Sequence, residues 1–190
     1  MSAARKNAIM TCVVYGGLIS IVYGMGYLRN VRIVLSTWMI IGAVTGILII
    51  FVELGMAQLK AKKEFGSFTR IIKPPKSYVE AFHIVNVILI ILAAGFEEML
   101  FRQILIRELY LGLNDYGLYI GIVMSSLLYA INHIYFSTFA VMQKLVSGLV
   151  FSMLFVFSGF NLGIPIIAHC VQNVTLYLFG AYTHGKESKK

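Results

Sequence analysis

Glu97 and Glu98 stand side by side inside an apolar run from Ile84 to Leu111, and Arg102 follows one helical turn beyond Glu98. An ionised carboxylate in hydrocarbon costs several kcal/mol, so acids within a membrane span are functional candidates by default. Glu98 and Arg102 are spaced i, i+4 and share a helix face, with the acid N-terminal to the base, the favourable order. Arg102 then holds Glu98 ionised, and Glu97, about 100° round the helix, is left to face a cavity. Packing glue through Arg102 and Arg107 is the bland alternative, but a single acid would suffice for that.

Two further stretches carry polar groups of the right kind. Asn132 and His133 follow Tyr129 by one turn, and His169 and Asn173 are spaced i, i+4 on one face of the last apolar run. A lone histidine near a helix end, such as His133, is more often interfacial than catalytic. The His169–Asn173 pair is harder to dismiss, because both side chains are costly in lipid and point the same way. A carboxylate pair, a histidine, and a histidine with an asparagine suit hydrolysis. Glutamate takes a proton from water, a histidine orients the water or moves the proton, and a second histidine with an amide donates to the oxyanion. Glu97, His133 and His169 could equally ligate a divalent metal such as zinc and leave a position open for water. The residues alone leave both open, and there is no His-Glu-x-x-His. Ser125 and Ser126 lack a Gly-x-Ser-x-Gly elbow, and Cys170 diverges by about 100° from its neighbour His169, so no other nucleophile stands out.

The elements that must position these residues are hydrophobic throughout. The chain of 190 residues is 59% apolar with 13% charged residues, against roughly 25% charged in a soluble domain. Its net charge of +8 is not a nucleic-acid signature, because the basic residues lie between apolar runs. Six runs are long enough to cross a layer of about 30 Å: Ala8–Leu28, Ile33–Gly55, Ala81–Leu113, Tyr116–Phe136, Phe139–Phe157 and Leu162–Tyr182. The expected fold is an all-α polytopic bundle of about six spans, with the catalytic core in the last four. Residues 1–58 form two front helices, 59–80 a basic cytoplasmic loop, 81–183 the core, and 184–190 a basic tail. The first run is read as a retained helix rather than a cleaved signal. Gly42-x-x-x-Gly46 reads as a helix-packing stripe. Cys12 and Cys170, both inside apolar runs, are expected as free thiols.

Lysines and arginines near the N-terminus, between Lys60 and Lys76, and in the tail put both termini in the cytoplasm of a multi-pass cell-membrane protein. One tension remains in the depths. Counted along the spans, Glu97 and His133 fall at one level, but His169 falls roughly 10 Å shallower. The mismatch closes if the third helix protrudes or the sixth tilts.

These residues, in this order, resemble the CPBP family of intramembrane proteases, the CaaX-protease and bacteriocin-processing (ABI) group, and are similar to type II CaaX prenyl endopeptidases. The family's Glu-Glu-x-x-x-Arg matches Glu97, Glu98 and Arg102, with Phe101 before the arginine. Its Phe-x-x-x-His matches at His133 with Tyr129 in place of phenylalanine, and its His-x-x-x-Asn matches His169 and Asn173. The resemblance covers roughly Pro74 to Phe179; Gln103 and Gly163 depart from the family's glycine and tryptophan. It implies an intramembrane endopeptidase in which Glu97 with His133 activates water, His169 and Asn173 stabilise the oxyanion, and Glu98 and Arg102 give support. Although the family is often called metalloprotease, a metal-free glutamate mechanism is the form favoured here. The implied partners are the lipid bilayer and a membrane-associated peptide, in peptide maturation or bacteriocin immunity. A non-catalytic scaffold or regulator that keeps the family fold is the alternative, and a proton-coupled carrier lacks broken helices or repeated halves. Oligomeric state is not legible.

Overall fold

The computed structural model describes residues 3–26, 31–67 and 82–187. Six helices make up almost all of it: α1 (Ala3–Gly24), α2 (Trp38–Phe65), α3 (Ile84–Glu98), α4 (Glu108–Ile131), α5 (Thr138–Phe157) and α6 (Gly163–Glu187). A π-helical segment, Met99–Arg107, joins α3 to α4. Among the described residues there is no strand, only a parallel bridge between Arg32 and Asn161. Arg29, the Arg70–Lys76 part of the basic stretch and the tail residues Lys189 and Lys190 lie outside the described residues.

From Ile84 to Ile131 the chain is helical except at Asn114, whose φ of 53° and ψ of −135° are not helical. There the chain turns back on itself. A Cβ on Gly121 would fall 2.9 Å from Cα of Ile106, and Arg102 donates to Ser125 across the same seam. Partner numbers rise on one arm as they fall on the other, so the arms are antiparallel. The spans expected at Ala81–Leu113 and Tyr116–Phe136 are therefore both present, but the second is shorter than its apolar run. Helix α4 stops at Ile131, residues 132–136 turn, and the Ser137 hydroxyl caps α5 by accepting from the Ala140 N–H at 2.9 Å.

Four helical stretches are long and apolar enough to cross a membrane, one of them this hairpin, and Ala8–Gly24 is a shorter apolar helix. The fold is an all-α helical membrane bundle. Helix α1 runs parallel to α3, with Cys12 Sγ at 3.9 Å from the Leu89 carbonyl and Gly16 on the Phe96 ring. Helix α6 runs antiparallel to α3, with Cys170 Sγ at 3.9 Å from the Ile91 carbonyl and the His83 N–H donating to Tyr177. Both cysteines are free thiols. The start of α1, the end of α2, the start of α3, the 132–136 turn and the end of α6 thus share one end of the bundle, as six crossings require.

Close approach of α2 to α6 depends on the small-residue stripe. A Cβ on Gly42 would sit 2.8 Å from the Ile164 carbonyl oxygen, and one on Gly46 would press still harder on the Ala168 carbonyl. The stripe therefore seats α2 directly behind His169. The start of α6 is clamped as well: Leu162 N–H donates to the Arg32 carbonyl at 2.8 Å, and the Asn161 amide brackets Val34 from both sides. Pro165 falls in the first turn of α6, where its missing N–H is no loss. At the other end, α2 continues to Phe65 and closes on Gly66 at φ 71°. Lys60, Lys62 and Lys63 therefore ride on helix rather than on a loop beginning at residue 59.

Candidate active site

Helix α3 ends on the two glutamates, and the winding widens to π geometry immediately after them. Such turns are rare and recur at functional sites. Here the segment carries Arg102 back onto Glu98: Nε lies 3.0 Å from Oε2, and both side chains are fully buried. The guanidinium also donates to Ser125 Oγ at 2.7 Å and sits 5.1 Å above the Tyr129 ring. Glu98 presents its other oxygen, Oε1, to Nδ1 of His169 at 2.8 Å. One carboxylate thus lies between a guanidinium from its own strand of helix and an imidazole from α6.

Glu97 is placed differently. It is buried, and Oε2 lies 3.7 Å from Nε2 of His169, too far for a hydrogen bond. The two neighbouring acids therefore have separate surroundings. Glu98 is held on both oxygens; Glu97 faces the nitrogen that Glu98 leaves over.

His169 is fixed by aromatic rings. Phe151 stacks on it with centroids 5.1 Å apart, and Tyr129 meets it edge-on at 5.6 Å. The Tyr129 hydroxyl lies 3.3 Å from Nε2. His133 sits in the turn after α4, half-buried, with Nδ1 at 2.9 Å from the Tyr129 carbonyl. A carbonyl only accepts, so Nδ1 carries the hydrogen and Nε2 is the nitrogen left for chemistry. Asn173 lies one turn beyond His169, half-buried, and makes no side-chain hydrogen bond among the described residues.

Glu97, Glu98, Arg102 and His169 are therefore one cluster, and Tyr129 links its histidine to His133. The depth mismatch closes. The arm from Ile84 to Leu113 is longer than the roughly 20 residues a bilayer requires, so counting from its end overstates the depth of Glu97. Among the described residues no three His, Cys, Asp or Glu side chains gather as a metal shell. Nδ1 of His169 is given to Glu98 and Nδ1 of His133 to a carbonyl, which turns Nε2 of each ring toward the site.

A second polar cluster escaped the sequence reading. Buried Glu53 of α2 accepts from Lys144 Nζ at 2.8 Å, Ser147 Oγ at 2.9 Å and Gln172 Nε2 at 2.8 Å. Gln172 lies one turn from His169, so this cluster fixes the rotation of α6. Glu53 carried the same signal as Glu97, an acid inside an apolar run. Ser125 was weighed only as a nucleophile and set aside, and Tyr129 was visible only as a departure from phenylalanine.

A helical membrane bundle with acids and histidines from three helices drawn into its interior is the fold of a CAAX-type intramembrane protease. A family model described as type II CAAX prenyl endopeptidase Rce1-like matches residues 80–175. The chain belongs to this family, and the matched segment contains all of Glu97, Glu98, Arg102, His133, His169 and Asn173. No curated protein and no solved structure matches the chain.

Proposed function

We propose that this chain is an endopeptidase that hydrolyses a peptide bond in a membrane-associated peptide or protein. The observation that carries the reading is the division between the two glutamates: Glu98 is held by Arg102 and His169, whereas buried Glu97 has no side-chain hydrogen bond among the described residues. Glu97 is then the base that takes a proton from water and returns it to the leaving amine. His133, donating through Nδ1 to the Tyr129 carbonyl, offers Nε2 to orient that water. His169, backed by Glu98, and Asn173 face the developing oxyanion. Glu98 and Arg102 hold the ring in place. No step in this route needs a metal.

The basic end of α2, bearing Lys60, Lys62 and Lys63, favours the cytoplasm for the end shared by both termini, in a multi-pass protein of the cell membrane. His133 lies in the turn at that same end, so a substrate tail is expected to enter from there.

Glu97→Gln is the test. Purified protein in vesicles is incubated with lipid-anchored peptides, prenylated and not, and the products are weighed by mass spectrometry. Loss of all cleavage with unchanged thermal unfolding supports the peptidase. Retained function in Glu97→Gln would instead favour a scaffold or regulator that keeps the family fold.

A further inference from the structure

We propose that the Tyr129 hydroxyl is a positioning element of this site: it takes Nε2 of His169 and so keeps the Glu97 carboxylate unpaired and available to water. The inference rests on the peptidase reading above and concerns a side chain that departs from the family's phenylalanine.

Nε2 of His169 has two oxygens near it. The Tyr129 hydroxyl is at 3.3 Å, within hydrogen-bond reach, and Glu97 Oε2 is at 3.7 Å, just outside it. Nδ1 is already committed to Glu98 at 2.8 Å. The ring thus has one nitrogen to give, and before substrate binds the tyrosine holds it; the oxyanion displaces the hydroxyl there during the reaction. Tyr129 cannot easily swing away. It is fully buried, with Phe101 edge-on at 5.7 Å and Arg102 over its face at 5.1 Å. A phenylalanine fits the same space but offers nothing to Nε2. Glu97 then needs to move by only a few tenths of an ångström to accept from Nε2–H when both ring nitrogens are protonated, and a carboxylate so occupied is a poorer base. The groups facing the ring are Glu97 and Glu98 of α3, Arg102 of the π segment and Tyr129 of α4. Beyond them Lys144 of α5 senses both Glu97 and His133, and Glu53 of α2 senses Tyr129.

The full chain in detergent, labelled with 15N in its histidines, tests this, with His169 assigned by its loss in His169→Gln. In Tyr129→Phe the Nε2 resonance is expected to move, and adding Glu97→Gln is expected to move it back. With a cleaved peptide in hand, Tyr129→Phe lowers kcat by about tenfold, the rate equivalent of one hydrogen bond, and leaves KM within about twofold. An Nε2 resonance that stays put, or that moves regardless of Glu97, overturns the proposal. If Tyr129→Phe fails to fold, 3,5-difluorotyrosine at 129 keeps the ring and sharpens the donor; an unmoved Nε2 resonance there overturns it equally. Unchanged kcat alongside an inactive Glu97→Gln sinks the role of Tyr129 and leaves the peptidase standing. Full cleavage by Glu97→Gln sinks the peptidase, while the nitrogen spectra still decide what Tyr129 holds.

Discussion

Oε1 of Glu98 lies 2.8 Å from Nδ1 of His169, a contact between residues 71 apart in the chain. It ties the end of α3 to the first turns of α6 at the level where Arg102 closes on the same carboxylate. Neighbouring acids in one helix thereby have different partners, Glu98 two and Glu97 the more distant Nε2 of His169. On the proposed reading the first organises the site and the second serves the reaction.

Removing Arg102 leaves Glu98 in the interior with its main counter-charge gone and Ser125 without its donor. Breaking a buried pair from one side costs about 3–5 kcal/mol. Arg102→Ala is therefore expected to unfold at much lower temperature in detergent, and Glu97→Gln to unfold near the wild type. Equal stability of the two variants would contradict the division between the glutamates.

Gly46 faces the Ala168 carbonyl with no room for a side chain, and Gly17 of α1 has nothing within 4 Å of its would-be Cβ. Gly46→Leu forces α2 off α6 and shifts the turn that carries His169. Overpacking of this kind costs about 1–3 kcal/mol. A fall in melting temperature for Gly46→Leu is expected, with Gly17→Leu unchanged. A drop of the same size in both would remove the stripe from the account of how α6 is seated.

The site was legible where polar residues interrupt hydrocarbon at helical spacing. Glu97, Glu98 and Arg102, and His169 with Asn173, announce themselves because apolar neighbours make each polar side chain conspicuous and i, i+4 spacing sets its face. The reversal was legible too: Asn114 and Asp115 are turn formers in the break between the third and fourth apolar runs. What could not be read is how the arms register. Depth counted along a span assumes that the span fits the bilayer, and the α3 arm exceeds it. The end of α4 at Ile131 was hidden because Ile134, Tyr135 and Phe136 continue the apolar run through a turn. Glu53 was overlooked because its partners Lys144, Ser147 and Gln172 come from distant helices, and no local spacing joins them.

That second cluster makes its own prediction. Glu53→Leu leaves Lys144, Ser147 and Gln172 facing an apolar side chain, so it is expected to destabilise strongly. Adding Lys144→Met removes the charge that Glu53 had faced, and part of the stability returns. The coupling energy between two such sites in contact is expected at about 0.5–3 kcal/mol. Chemical unfolding of the two single variants and the double variant measures it. Strict additivity would mean that Glu53 and Lys144 do not act as a pair.

Metal removal separates the two chemistries that the residue types allow. Both histidines spend Nδ1 within the protein, on Glu98 and on the Tyr129 carbonyl, and only their Nε2 atoms point to the site. Nε2 atoms presented in this way suit a glutamate-activated water or a zinc ion, and the route proposed here is the metal-free one. Purified protein dialysed against a strong chelator is therefore expected to cleave its peptide at the rate of untreated protein, and elemental analysis to find far less than one metal per chain. Loss of activity restored in proportion to added zinc would instead mean that Glu97, His133 and His169 close around an ion during turnover, and that Glu97 is a ligand rather than a base.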